Sequence, residues 1–172
     1  SDHCNTFLGC IFIDCSFRKA SLGHKGSEYV DCEFINSNFA NTVFIRANFE
    51  NVTFANNQLK GVDFNASSFD NVSFEGLLEE VWFRGGFASK SEEEYFGTPK
   101  TRTLKKVSFE DALLNYVCFS NGCNLSDIIV NNTSGHYLFK NWQFFLDELD
   151  HIIDSWSNEE KSEARIFVNT FK

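Results

Sequence analysis

A five-residue rhythm of large apolar side chains runs along the chain. From Phe34, steps of five land on Phe39, Phe44, Phe49, Phe54, Leu59, Phe64, Phe69 and Phe74. The same step runs in another phase through Phe7, Phe12, Phe17 and Leu22, and Tyr29 restarts it before Phe34. The wider gap between Leu22 and Tyr29 places two extra residues near Gly23-His24-Lys25-Gly26, a widened turn. A second column lies two residues before the first. It reads Cys10, Cys15, Ala20, Ser27, Cys32, Ser37, Thr42, Ala47, Val52, Val62, Ser67 and Val72, with Asn5 and Asn57 as exceptions. Residues two apart point the same way in extended chain, so each unit offers one large and one small side chain to one side. A period of five fits neither a flat strand nor a helix. It fits a chain that turns a corner after each short extended piece, so that the next pair also points inward. Asn recurs two places after the large residue, at Asn36, Asn41, Asn51, Asn56 and Asn71. Asn tolerates the left-handed and turn conformations that such corners require.

Units such as Ala47-Asn48-Phe49-Glu50-Asn51 and Val62-Asp63-Phe64-Asn65-Ala66 resemble those of the pentapeptide-repeat family. That pattern is a small residue, Asp or Asn, Leu or Phe, a polar residue, then often Gly. The resemblance covers residues 3–76 and, less regularly, 107–132. It implies an all-β solenoid, a right-handed quadrilateral β-helix with four units per coil. Coils would then stack at the ordinary strand spacing of about 4.8 Å. Phe34, Phe54 and Phe74 would form one column, and Phe39 and Leu59 another.

Regularity falters after Phe74. Val81-Trp82-Phe83-Arg84-Gly85 reads as one further unit, but Phe83 follows Phe74 by nine residues rather than ten. Gly86 to Lys106 has no register. The repeat resumes at Val107-Ser108-Phe109, Ala112-Leu113-Leu114 and Val117-Cys118-Phe119, then slips and continues with Cys123-Asn124-Leu125 and Ile128-Ile129-Val130. An inserted loop of about 20 residues in a repeat array is unusual, and long loops are often functional; a solvated insertion without a role is the alternative. The segment holds Phe87, Tyr95, Phe96, Lys100, Arg102, Lys105 and Lys106, which the register does not claim for the core. Interfaces draw on aromatic and Arg anchors, so these are the candidate partner-binding residues. Residues 77–106 carry 5 acids and 6 bases, a locally basic segment in a chain of net charge −9. Such a patch steers an acidic partner.

Residues 137–156 switch to helical spacing, with Trp142, Phe145, Leu149, Ile152 and Trp156 on one stripe, widened by Leu146 and Ile153. Ser157-Asn158-Glu159-Glu160 reads as a capping box that opens a second helix, roughly 158–171. A bare last coil would expose its apolar columns and unpaired backbone, so a C-terminal α-helical cap is expected. The family resemblance adds a homodimer contact through the same helices. The expected domains are residues 1–136, the β-helix, and 137–172, the helical cap or dimerisation segment.

The remaining chemistry is sparse. His3, His24, His136 and His151 are far apart in sequence, and nothing in their spacing suggests a metal site or a nucleophile–base pair. The chain has no Walker loop, GxGxxG or GxSxG. No cofactor, metal or enzymatic activity is expected. The negative charge disfavours direct nucleic-acid binding. The six cysteines form no CxxC pair. Cys10, Cys15 and Cys32 sit in the small column and are expected to be buried free thiols, which suits a reducing, cytoplasmic setting. No apolar run approaches the roughly 18 residues that span a membrane. With no methionine, the sequence is expected to begin inside a longer product. The expected function is a non-catalytic protein–protein interaction module. The family resemblance offers an alternative: an acidic mimic of duplex DNA that binds a type II topoisomerase (DNA gyrase), as in fluoroquinolone-resistance members. Glu50 and Asp70, one coil apart, would be its surface. Other solvent positions mix Glu33, Asp63 and Glu75 with Arg46 and Lys60, a sparse imitation of phosphate rows.

Overall fold

The computed structural model describes residues 2–100, 103–131, 135–136 and 142–171. The chain divides into two compact units, Ser1–His136 and Tyr137–Lys172. The first is a four-sided parallel β-solenoid of about six turns. Its first face stacks β1 (Thr6–Leu8), β4 (Glu28–Val30) and the leading halves of β7 (Asn48–Ala55), β9 (Ser68–Glu79) and β11 (Leu104–Phe109). The second face stacks β2 (Ile11–Ile13), β5 (Glu33–Ile35), the trailing parts of β7, β9 and β11, and β14 (Ile128–Val130). The third joins Ser16, Asn38 and Gln58 by single bridges and pairs the end of β9 with β12 (Ala112–Asn115). The fourth carries β3 (Ser21–Leu22), β6 (Val43–Ile45), β8 (Asp63–Asn65), β10 (Trp82–Arg84) and β13 (Cys118–Ser120).

Each large residue meets its counterpart one coil away. Phe12, Phe34, Phe54, Phe74 and Phe109 stack nearly parallel, with successive centroids 4.7, 4.9, 5.0 and 5.2 Å apart. Rings from neighbouring faces meet edge-on, as Phe44 and Phe49 do at 5.3 Å. Both geometries suit the aromatic quadrupole, so one ring satisfies its column and its coil together. The corners turn through left-handed residues: Asn36, Asn41, Asn51, Asn56 and Asn71 all have φ between 50° and 57°. Asn51 donates to Asp31, and Asn71 donates to Asn51, both at 2.9 Å, so the corner side chains also form a ladder.

The small column does more than fill space. Thr42 Oγ1 donates to the Phe17 carbonyl at 2.6 Å, and Ser37 and Ser67 hydroxyls donate to the Phe12 and Phe44 carbonyls at 3.3 Å. The Ser37 and Ser67 hydroxyls also accept the N–H of Cys15 and of Ala47. Cys32 Sγ reaches the Phe7 carbonyl at 3.4 Å. These short polar groups thus satisfy backbone of the coil before, which an apolar residue there would not do. Asn57, the exception, is buried and uses both ends of its amide, accepting from the Ser37 N–H and donating to the Phe34 carbonyl at 2.8 Å each.

Three sequence expectations change. Leu78 is fully buried and pairs in register with Leu114, so Gly76-Leu77-Leu78 is a complete unit that the five-step count passed over. Its spacing from Phe74 is one residue short, and Gly76, at φ 93°, takes that tight corner. Leu104 is buried and pairs with Phe69, so the solenoid resumes before Val107 and both Lys105 and Lys106 belong to a coil rather than to the insertion. All six cysteines are free, but only Cys32 is buried; Cys10 and Cys15 are half-exposed, and Cys4 and Cys118 are exposed. Cys10 and Cys15 lie on the first described coil, where β1 and β2 each pair on one side only.

The second unit holds α2 (Trp142–Ile152), a 3-10 turn (Ile153–Ser155) and α3 (Asn158–Phe171). Leu146, Ile153 and Val168 form its core, with Phe145, Leu149 and Ala164 packed against them. Trp142, Ile152 and Trp156 of the expected stripe are exposed instead. Glu160 accepts from the Ser157 backbone N–H, which is one half of a capping box, and from the Ser157 hydroxyl, and these bonds hold its carboxyl below the usual range. Asp154 likewise sits low because Arg165, at 2.7 Å, and Lys161 favour its charged form. No helix among the described residues is long and apolar enough to cross a membrane.

Two measurements check this register. Phe54→Ala is expected to cost about 3–5 kcal/mol and Leu78→Ala about 2–5 kcal/mol in denaturant unfolding. Glu50→Ala, on the outer surface, is expected to change stability by less than about 0.5 kcal/mol. A mild loss at Leu78 would refute the four-residue unit. In thiol labelling, Cys4 and Cys118 should react in the native state while Cys32 reacts only after denaturation.

Candidate partner-binding site

The insertion folds back as a strap. Its middle is α1 (Lys90–Phe96), opened by a capping box in which the Ser89 hydroxyl accepts from the Glu92 N–H and Glu92 reaches back to Ser89. Gly97 ends it at φ 91°, and a Cβ there would run into the Arg46 guanidinium. The strap seats on the widened turn that the sequence placed near Gly23–Gly26. Phe96 packs edge-on against His24, with centroids 5.3 Å apart, and stacks on Phe87 at 5.7 Å. Lys25 Nζ lies over the Tyr95 ring, 5.5 Å from its centroid.

The seat itself is held from below. Asp2 is buried and accepts from the Gly23 N–H and from the Tyr29 hydroxyl, the latter at 2.8 Å. Burial and the Asp2 carboxylate push the Tyr29 phenol far above its usual range, so it remains a donor. His24 Nε2 is 2.7 Å from Ser21 Oγ. His3 and His24, which sequence spacing kept apart, are bridge partners in adjacent coils with rings 6.4 Å apart. They lie about one coil apart along the chain, which linear spacing alone does not reveal. No group of three metal-ligating side chains occurs among the described residues.

Arg46 is the stitch. It occupies a left-handed corner, and its guanidinium donates to the Phe96 carbonyl at 2.9 Å and to the Lys25 carbonyl at 3.2 Å. One side chain thereby satisfies the C-terminal end of α1 and closes the turn beneath it. Sequence reasoning had counted Arg46 among scattered surface charges. The one available signal was an Arg at a corner of the kind that Asn usually occupies.

Beyond Gly97 the strap overhangs the first face and encloses a cleft of about 550 Å³. Its floor is Glu28, Val30, Asn48, Glu50, Ser68 and Asp70, and its other wall includes Pro99, Lys100 and Lys105. Glu50 pairs in register with Asp70, and Asp70 with Lys105. Lys105 Nζ lies 2.6 Å from the Asp70 carboxylate. Both side chains are substantially exposed, so the pair contributes little to stability but cancels the charge of Asp70. Glu28 and Glu50 have no ion pair among the described residues.

Residues 4–83 match a family model described as a pentapeptide repeat region. Residues 4–83 form a pentapeptide repeat region within the β-solenoid. Similar solved structures include a pentapeptide repeat protein from the Arabidopsis thaliana thylakoid lumen, at 16% identity and a TM-score of 0.32, covering 62% of this chain and 69% of that one. They also include two trypsin-treated variants of QnrB1, a plasmid-mediated fluoroquinolone resistance protein. These align at 13% and 15% identity with TM-scores of 0.35 and 0.24, each over 77% of this chain and 87% and 86% of theirs. No match to this sequence was found among curated proteins.

The solenoid thus separates the loop residues singled out from sequence. Phe87 and Phe96 are half-buried and anchor the strap. Tyr95 is 67% exposed and projects from it, and Lys100 is exposed at the cleft. Lys105 and Lys106 lie on the coil, Lys106 at a left-handed corner. Arg102 lies outside the described residues.

Arg46→Ala is expected to release the strap without unfolding the solenoid. A hydrogen bond from a charged donor is worth about 1.5–3 kcal/mol. Hydrogen exchange at residues 90–97 should therefore accelerate on the order of tenfold or more, while the amides of β7 and β9 keep their protection. Equal loss of protection in both regions would contradict a local anchor.

Proposed function

We propose that this protein is a non-catalytic interaction module whose strap and underlying cleft receive a protein partner. The observation that carries the reading is the cleft itself: a preformed concavity on the solenoid, overhung by Pro99 and Lys100, with Tyr95 exposed on the strap. Flat faces of short polar side chains offer little area for a hot spot, whereas a projecting Tyr beside a concavity does. The floor presents the carboxylates Glu28 and Glu50, which have no ion pair among the described residues, and Lys100 the opposite charge, so charge position would select and orient the partner. Six free thiols support a reducing compartment as its setting.

Weighing against the duplex-mimic alternative is the column that contains its candidate surface. Above Glu50 and Asp70 it continues to Lys105, which neutralises Asp70, so a row of phosphate-like charges does not develop.

The test is affinity capture from source cells, comparing the wild type with a strap deletion and with a Tyr95→Ala, Lys100→Ala double variant. The deletion must end before Thr103, because Thr103 and Leu104 are buried coil residues. Partners retained by the wild type should be lost by both variants, with the solenoid still folded. Unchanged capture by the strap deletion would place the interface elsewhere.

A further inference from the structure

A second exposed surface is unlike the rest of the solenoid. On the third face, the outward residue before each large one reads Ser16, Asn38, Gln58, Leu77 and Leu113 in successive coils. On the fourth face the same position reads Ser21, Val43, Asp63, Trp82 and Cys118. The corner between these faces reads Lys19, Asn41, Gly61, Glu80 and Tyr116, all with positive φ. In the two face rows the later coils turn apolar together, and in the corner row the last position, Tyr116, does so. Leu77 and Leu113 are register partners and are 47% and 53% exposed; Tyr116 is 82% exposed, and Trp82 is exposed next to Cys118.

Tyr116 is the informative residue. A left-handed backbone at a bulky aromatic is disfavoured, and Tyr116 is the only aromatic among the described positive-φ residues, where Asn and Gly predominate. The chain accepts that cost for a ring that contributes little packing. Local choices that oppose the fold without a structural gain mark functional positions.

The surroundings are acidic. Glu75, Glu110 and Asp111 border Leu77 and Leu113 on the side of the second face, and Glu79 and Glu80 border them on the other. The nearby cations are already held, Lys60 by Glu79 at 3.0 Å and Glu80 at 4.0 Å, and Arg84, on the strand of Trp82, by Asp63 at 2.9 Å. Residues 107–136 contain no Lys or Arg. An apolar centre between two acidic margins complements a segment with apolar anchors flanked by Lys or Arg.

We infer that the edge formed by Leu77, Leu113, Tyr116 and Trp82 docks a basic amphipathic segment of a partner protein. It is a second surface, independent of the strap, and its occupant is opposite in charge to one steered by the loop lysines.

The test uses the full chain and a fluorescein-labelled amphipathic peptide built only of Leu and Lys, followed by fluorescence anisotropy. A Leu–Glu peptide of the same apolar pattern is the control. The expected result is saturable binding of the Leu–Lys peptide only. It should weaken on the order of tenfold or more in Leu113→Ser with Tyr116→Asn, as loss of hot-spot side chains does. Tyr95→Ala on the strap should leave it unchanged. Asn is the commonest non-Gly residue at these corners, so the double variant should melt no lower than the wild type; Leu77→Lys, an outward substitution, is a second variant that should also abolish binding. Equal binding of the Leu–Glu peptide would overturn the inference. So would undiminished Leu–Lys binding by both variants, which would mean attraction to net charge alone. Self-association of the wild type that the double variant lacks, seen by light scattering, would overturn it by making a second copy the occupant.

Discussion

The registered stacking of side chains between coils is the constraint on which the rest of this molecule depends. Each inward ring touches its equivalent one turn away, and each parallel ladder holds the two at strand spacing. Phe54 therefore has Phe34 on one side and Phe74 on the other, at 4.9 and 5.0 Å. The arrangement is quasi-one-dimensional: a coil is stabilised mainly by its neighbours, so local irregularity is tolerated if the next coil recovers register. The short unit ending at Leu78 and the strap between Phe83 and Leu104 are two such irregularities. Both leave the columns in line.

That tolerance is what makes room for function. The core claims one large and one small side chain from each unit, and backbone ladders consume the strands. The outward positions and corners are then free to vary without disturbing the interior. Widening one early turn by two residues raises His24 and Lys25 into a seat. An Arg at one corner then ties a much later segment to that seat, through the Phe96 carbonyl. The cleft on the first face follows from this closure rather than from any change in the solenoid. The same freedom lets Leu113 and Tyr116 face outward in the later coils, where earlier coils carry polar residues.

Charge acts on a finer scale than the net value of −9 suggests. Several acids are already answered in register: Asp63 by Arg84 at 2.9 Å, Asp70 by Lys105, and Glu79 by Lys60. Glu28 and Glu50 in the cleft, and Glu75, Glu110 and Asp111 beside Leu77 and Leu113, have no ion pair among the described residues. A partner would meet these local patterns rather than a uniformly acidic rod, because fields from exposed charges are largely screened beyond roughly 10 Å at 0.1 M salt.

By itself the sequence determined the repeating unit, the inward columns and the Asn corners. These are local consequences of a five-residue step, and each unit repeats the same steric problem and the same solution. It also determined the helical character of the last segment, through apolar spacing and the Ser157–Glu160 cap. Tertiary structure alone decided which residues cross the interruption. Leu78 and Leu104 joined the columns because a coil above and below demanded a large side chain there, a demand that linear counting cannot register. The pairing of His3 with His24, the loss of Asp70 to Lys105 and the hold of Arg46 on Phe96 each join residues about one coil or more apart. Such contacts are set by the path of the chain between them. The surfaces they create are therefore properties of the stacked coils and not of any single unit.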